Sequence, residues 1–143
     1  MTKQELSELY DKLYESADRL FKKYNPCGIE AGICLSVRMD HGETARYGHH
    51  RDTLCCTGCE YHTSSGCTVK AIYCKLWICD RVRKYGDPIF VVKIDRLWKR
   101  SRPLRQYSAE QSVRISKEDY MKGVRVNRNG QLFIWWSYVC CNI

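Results

Sequence analysis

Apolar side chains recur at three- and four-residue intervals from the start of the chain: Leu6, Leu9, Tyr10, Leu13, Tyr14, Ala17, Leu20, Phe21 and Tyr24 fall on one stripe. That spacing predicts an amphipathic helix within residues 1–26. Thr2 and Glu5 form a T-x-x-E capping box, in which each side chain satisfies a backbone donor at the other's position. Asn25-Pro26 ends the helix, because a residue before proline is pushed out of the helical region.

The period is then lost. Residues 28–66 carry six glycines and all four histidines without a sustained repeat, which predicts irregular backbone. From Thr68 a helical face returns in Val69, Ile72, Leu76, Cys79 and Val82, predicting one helix to about Tyr85 with Gly86 as a left-handed cap. Asp87-Pro88 provides a cap and a first-turn proline for a further helix with Phe90, Val91, Ile94, Leu97 and Trp98 on one side, although Ile-Phe-Val-Val also suits a strand. Ser116 and Asp119 begin a short helix ending near Gly123. Val-Arg-Val, the turn Asn127-Arg128-Asn129-Gly130 and Leu-Phe-Ile-Trp-Trp follow as a β-hairpin.

These elements predict an α+β, mainly helical fold in one domain of 143 residues. Within it, residues 1–26 form the N-terminal helix, 27–86 a cysteine-rich metal-binding region, and 87–143 a basic helix and hairpin region. No apolar run approaches the roughly 18–20 residues that cross a bilayer. The charged start lacks an apolar leader, so a cytoplasmic protein with no membrane contact is expected.

Charge divides the chain unevenly. Residues 1–79 hold ten Lys or Arg and ten Asp or Glu, whereas residues 80–143 hold fourteen and six, so the whole +8 excess lies in the second part. Cysteine divides it the other way: eight of the ten lie between Cys27 and Cys79, and the last two are Cys140 and Cys141. In a reducing compartment, thiols at this density point to metal ligands more than to disulfides.

The candidate ligands are Cys27, Cys34, Cys55, Cys56, Cys59, Cys67, Cys74 and Cys79. A set of soft sulfur ligands selects zinc or an iron-sulfur cluster over magnesium or calcium. Cys56-x2-Cys59 can present two sulfurs from a tight turn, and Cys74-x4-Cys79 is the second candidate pair. On a continuous helix, Cys74 and Cys79 would stand about 140° apart, and Cys67 and Cys74 about 10 Å apart along the axis. One zinc could not take both of the latter, which tilts the expectation towards a four-iron, four-sulfur cluster. His62 or His50 is a candidate to replace one cysteine. Cys140 and Cys141, at the end of an aromatic strand, read as core or chain-end thiols.

The segment Cys-Cys-Thr-Gly-Cys-Glu-Tyr-His-Thr-Ser-Ser-Gly-Cys-Thr-Val, residues 55–69, resembles the zinc- or iron-chelating cysteine-cluster family related to flagellin lysine methylases. The match is partial: Cys27, Cys34, Cys55, Cys56, Cys59, Cys67 and Cys74 or Cys79 can fill that family's cysteine positions, while its Arg-Pro before the late cysteine is absent and its early Cys-Cys pair is displaced far along the chain. The resemblance covers about residues 27–79 and implies metal binding, with an iron-sulfur cluster as one form of it. It does not extend to methyl transfer.

The basic half offers a second kind of chemistry. Lys93, Arg96 and Arg100 share one helical face, and Lys99, Arg102 and Arg105 extend the series. Arg125 and Arg128 stand on the hairpin beside Phe133, Trp135 and Trp136. Such a surface attracts polyanions, and alternating cations and aromatics suit nucleic acid or a nucleoprotein complex. An acidic protein partner is the other expectation. His49-His50-Arg51-Asp52 reads as a surface loop, because adjacent side chains diverge. The chain has no Gly-rich phosphate loop, no G-x-S-x-G and no H-E-x-x-H. The expected function is therefore a small metal-stabilised binding or regulatory protein. The alternatives are an iron-sulfur redox or radical-type enzyme subunit and an inhibitor seated on an acidic protein surface.

Overall fold

Helix α1 spans Lys3–Tyr24 and is capped at both ends as its sequence dictates. Thr2 Oγ1 accepts the Glu5 N–H at 3.1 Å, and Glu5 returns the bond by accepting the Thr2 N–H at 2.6 Å. Asn25 takes the left-handed conformation at φ 41° and donates its N–H to the Phe21 carbonyl. This computed structural model describes residues 1–28, 59–106 and 114–134.

Within them, a two-residue β1 (His62–Thr63) pairs antiparallel with β2 (Gly66–Cys67), and four short or medium helices follow. They are α2 (Ile72–Leu76), α3 (Asp80–Tyr85), α4 (Pro88–Arg100) and α5 (Arg102–Gln106). Helix α6 (Lys117–Gly123) leads directly into β3 (Val124–Val126), which pairs with β4 (Leu132–Ile134) in the register Val124↔Ile134, Arg125↔Phe133 and Val126↔Leu132. The fold is mainly helical α+β. No described helix is long and apolar enough to cross a membrane.

The stripe of α1 is the spine of the core. Leu6, Tyr10, Leu13 and Ala17 are buried, and they meet Ile72, Tyr73 and Leu76 of α2 and Phe90, Ile94 and Leu97 of α4 in one cluster. Phe90 lies edge-on to Phe21 at 5.2 Å and beside Tyr24 at 5.7 Å, so α4 begins near the end of α1. From there the chain runs back along α1: the Leu104 carbonyl of α5 accepts the hydroxyl of Tyr120, whose ring is 5.7 Å from Tyr10. The same carbonyl also accepts the Tyr73 hydroxyl, so one buried acceptor with two lone pairs fastens α2, α5 and α6 together. Truncating Phe90, which is fully buried, removes its contacts with the end of α1 and costs about 3–5 kcal/mol.

Two expectations are corrected here. The single helix over residues 68–85 is two helices, because Trp77 and Cys79 are extended and Ile78 turns into the core. Gly86 is not left-handed: its φ is −74°, and it is glycine because a Cβ would stand 2.4 Å from the Val82 carbonyl oxygen. The Asp87-Pro88 start of α4 is as expected, with Asp87 Oδ1 accepting the N–H groups of Ile89 and Phe90. Ser116 likewise caps α6 through the Asp119 N–H. At the hairpin, Gly130 adopts φ 75° in the turn closed by the Gly130 N–H to the Asn127 carbonyl.

Candidate metal centre and basic face

A cavity of about 630 Å³ lies between the end of α1, the β1–β2 hairpin and α2. Cys27, Cys67 and Cys74 line it, together with His62. They reach it from four separate places. Cys27 follows the left-handed stop of α1, His62 and Cys67 face one another across the two hairpin strands, and Cys74 sits on α2. Directly opposed residues of an antiparallel pair share a face with Cβ atoms about 4.5–5.5 Å apart.

Local bonds hold this arrangement. The Tyr61 carbonyl accepts both the Thr68 N–H and its hydroxyl, closing the hairpin. Gly66 has φ 108°, a conformation only glycine adopts readily, and its carbonyl accepts the Thr63 hydroxyl. Cys67 Sγ accepts the Lys70 N–H at 3.3 Å. The break between β2 and α2 removes the continuous helix that would separate Cys67 from Cys74 along its axis, so that distance no longer speaks against zinc.

Cys59 and Cys79 are not among the residues lining the cavity. Cys59 begins the turn before β1, its carbonyl accepting the His62 N–H. Cys79 is the N-cap of α3, where its Sγ accepts the Val82 N–H at 3.5 Å. Cys34, Cys55, Cys56, Cys140 and Cys141 lie outside the described residues, as do His49, His50, Arg51, Asp52, Trp135 and Trp136.

The donor chemistry of the cavity fits zinc or an iron-sulfur cluster, being three thiols and an imidazole. Sharing a cavity is a weaker condition than forming a coordination shell: among the described residues, no three His, Cys, Asp or Glu groups are placed to hold one ion.

Charged groups border the same cavity. Asp18 binds Lys75 at 2.7 Å and Lys22 at 2.7 Å, and the Lys75 ammonium lies over the rings of Phe21 and Tyr14. Partial burial by itself would raise the Asp18 pKa. The hydrogen bonds and charges of Lys22 and Lys75 outweigh it and hold the carboxyl below its ordinary value.

The basic series separates into engaged and unengaged groups. Arg83 is bound to both oxygens of Asp95 at 3.0 Å. Arg105 stacks over Trp98 at 4.3 Å and donates to the Trp98 carbonyl and to the buried Ser101, which makes it a structural clamp between α4 and α5. Lys93, Arg96, Lys99, Arg100 and Arg102 are exposed, as are Arg125 and Arg128 on the hairpin. Among the described residues, none of these seven forms an ion pair or a side-chain hydrogen bond. The Arg105 clamp is a role that sequence reasoning missed; its one sign in the sequence was the i, i+7 spacing from Trp98 across the Ser101 turn between α4 and α5.

Compared with known proteins, the chain matches no family model, no curated protein and no solved structure.

Proposed function

We propose that this chain is a small, non-enzymatic binding or regulatory module, organised by a thiolate-bound zinc or iron-sulfur centre, that contacts nucleic acid or a nucleoprotein complex through its basic second half. The observation that carries the metal part is the convergence of Cys27, His62, Cys67 and Cys74 on one cavity from four sites in the chain. A metal bound there would tie the end of α1 and α2, which belong to the core, to the β1–β2 hairpin, none of whose residues 59–70 is buried, and its binding energy would be folding energy for that hairpin. Binding would have to pull these donors closer together, since the described ones share the cavity without meeting at a common point. The polyanion part is supported by exposed, unengaged cations on α4, α5 and the hairpin.

Metal and sulfide analysis of anaerobically purified protein, with its absorption spectrum, tests the first part. About one zinc per chain, or iron and sulfide with a brown colour, is the expected result. Cys67→Ser and Cys74→Ser should each release it. A colourless, metal-free chain that stays folded in chelator would overturn the metal reading.

A second reading, an inhibitor seated on an acidic protein surface, draws on one observation. Ile89 and Val92, which are 57% and 50% exposed, stand beside the cations of α4.

A further inference from the structure

We infer that the exposed arc of α4 binds the sugar-phosphate backbone of a nucleic-acid duplex without reading its bases; this rests on the nucleic-acid reading above and narrows it to one face. At about 100° per residue, Ile89, Val92, Lys93, Arg96, Lys99 and Arg100 fall within a sector of about 120°. All six are exposed, and the opposite side of the helix buries Phe90, Ile94 and Leu97 in the core. Lys93, Arg96 and Arg100 form a row about 10 Å long, with Lys99 at its flank. Arg102, the first residue of α5, carries the charge past the end of the helix.

Two features suit this row to phosphates. Its five cations are free of ion pairs among the described residues, so binding displaces no internal partner. The nearest carboxylate on the helix, Asp95, is already held by Arg83 and offers little repulsion. A duplex carries one charge per about 1.7 Å, so a 10 Å row meets several phosphates at once.

The arc also favours a duplex over a single strand. Single strands are held by stacking unpaired bases on open aromatic rings. The six arc positions are aliphatic or cationic, and Trp98 of the same helix already carries the Arg105 guanidinium on its ring. Tyr85, exposed on α3, has the Lys84 ammonium over its ring. The arc therefore offers charge without a stacking platform, which matches a backbone whose bases are turned inward.

Fluorescence anisotropy with a labelled mixed-sequence duplex of about 20 base pairs, and with one of its single strands, tests this across roughly 50–200 mM salt. The expected result is duplex binding at least about tenfold tighter than the single strand, with a slope of log K against log salt of about −4 to −5 for five cations. Lys93→Glu/Arg96→Glu/Arg100→Glu should weaken duplex binding more than about tenfold and flatten the slope to about −2. The equally charged change Lys12→Glu/Arg19→Glu/Lys23→Glu on α1 should leave most of the affinity in place. If reversal unfolds α4, the neutral set Lys93→Gln/Arg96→Gln/Arg100→Gln makes the same comparison. Tighter binding of the single strand would overturn the duplex inference and leave the nucleic-acid reading standing. Equal losses in the α1 and α4 variants would overturn the arc. Binding of neither probe would end both readings.

Discussion

The Tyr10 hydroxyl on α1 accepts the first N–H of α2, from Ile72, at 3.0 Å and lies 3.3 Å from the Lys70 carbonyl, to which it donates. Ala71, at the N-cap of α2, has no side-chain acceptor to offer, and Lys70 before it is held left-handed at φ 52°. A residue 62 positions away thus takes the part usually played by a local serine or aspartate. Tyr10→Phe strands the buried Ile72 N–H and removes the donor to the part-buried Lys70 carbonyl, and should cost about 1–3 kcal/mol in urea unfolding. A loss below a few tenths would show that α2 starts without this cap.

Burial also pushes the Tyr10 phenol above its ordinary value of 10.0, with the Ile72 bond acting in the opposite direction. The folded chain therefore holds this proton more tightly than the unfolded one. Its contribution to stability is complete below pH 10 and declines as pH rises above 10, where the unfolded chain ionises first. Tyr10→Phe should show a shallower fall in stability above pH 10 than the native chain, measured by urea titration at fixed pH steps.

Asp18 works in the opposite sense. Its lowered pKa means that the pair with Lys22 and Lys75 stabilises the fold above the ordinary value of 3.8 and is lost as pH falls through the depressed one. All three groups are partly exposed, which limits the pair to about 0.5–1 kcal/mol. Asp18→Asn should lose that amount at about pH 7 and be indistinguishable from the native chain in the acid limit. An equal difference at both pH values would refute the assignment.

Gly86→Ala forces a Cβ to 2.4 Å from the Val82 carbonyl oxygen at the end of α3, with further contacts at 3.3 Å. The backbone φ is ordinary, so the penalty is steric and should be about 1–3 kcal/mol, with the α3–α4 corner shifted. Thermal melting of the variant reads it directly.

Cys79→Ser separates a cap from a ligand. The thiol accepts the Val82 N–H at a long 3.5 Å, and a serine hydroxyl is a better acceptor at an N-cap. If the chain holds the proposed metal, its content should be unchanged, and stability should be equal to or a few tenths of a kcal/mol above the native chain. Release of metal by this change would return Cys79 to the ligand set.

Local rules wrote most of the helices into the sequence. Thr2 with Glu5, Asp87 with Pro88, and Ser116 with Asp119 place helix starts because a cap satisfies donors within three residues of itself. The same locality makes Asn127-Arg128-Asn129-Gly130 readable as a turn. The break at Trp77–Cys79 was hidden, since Ile72, Leu76, Cys79 and Val82 keep a helical period while Ile78 gains more from the core than from continuing the helix. The β1–β2 pair was hidden too, being only two residues long on each strand and held by the Tyr61–Thr68 and Thr63–Gly66 bonds. For the site, the richness in cysteine was legible, but which thiols share a cavity was not.

By itself, the order of residues determined the apolar face of α1, the capped starts of α1, α4 and α6, the hairpin turn and the concentration of positive charge after residue 79. Those depend on neighbours a few positions apart, and a helix or turn brings such neighbours together whatever the rest of the chain does. Tertiary structure decided which groups became partners: Tyr10 for Ile72, two tyrosines for one Leu104 carbonyl, Arg105 for Trp98, and Cys27, His62, Cys67 and Cys74 for one cavity. Apart from the Arg105–Trp98 clamp between consecutive helices, those partners come from distant segments and were brought together as the segments packed around α1, a choice made by packing and by the need to satisfy polar groups removed from water.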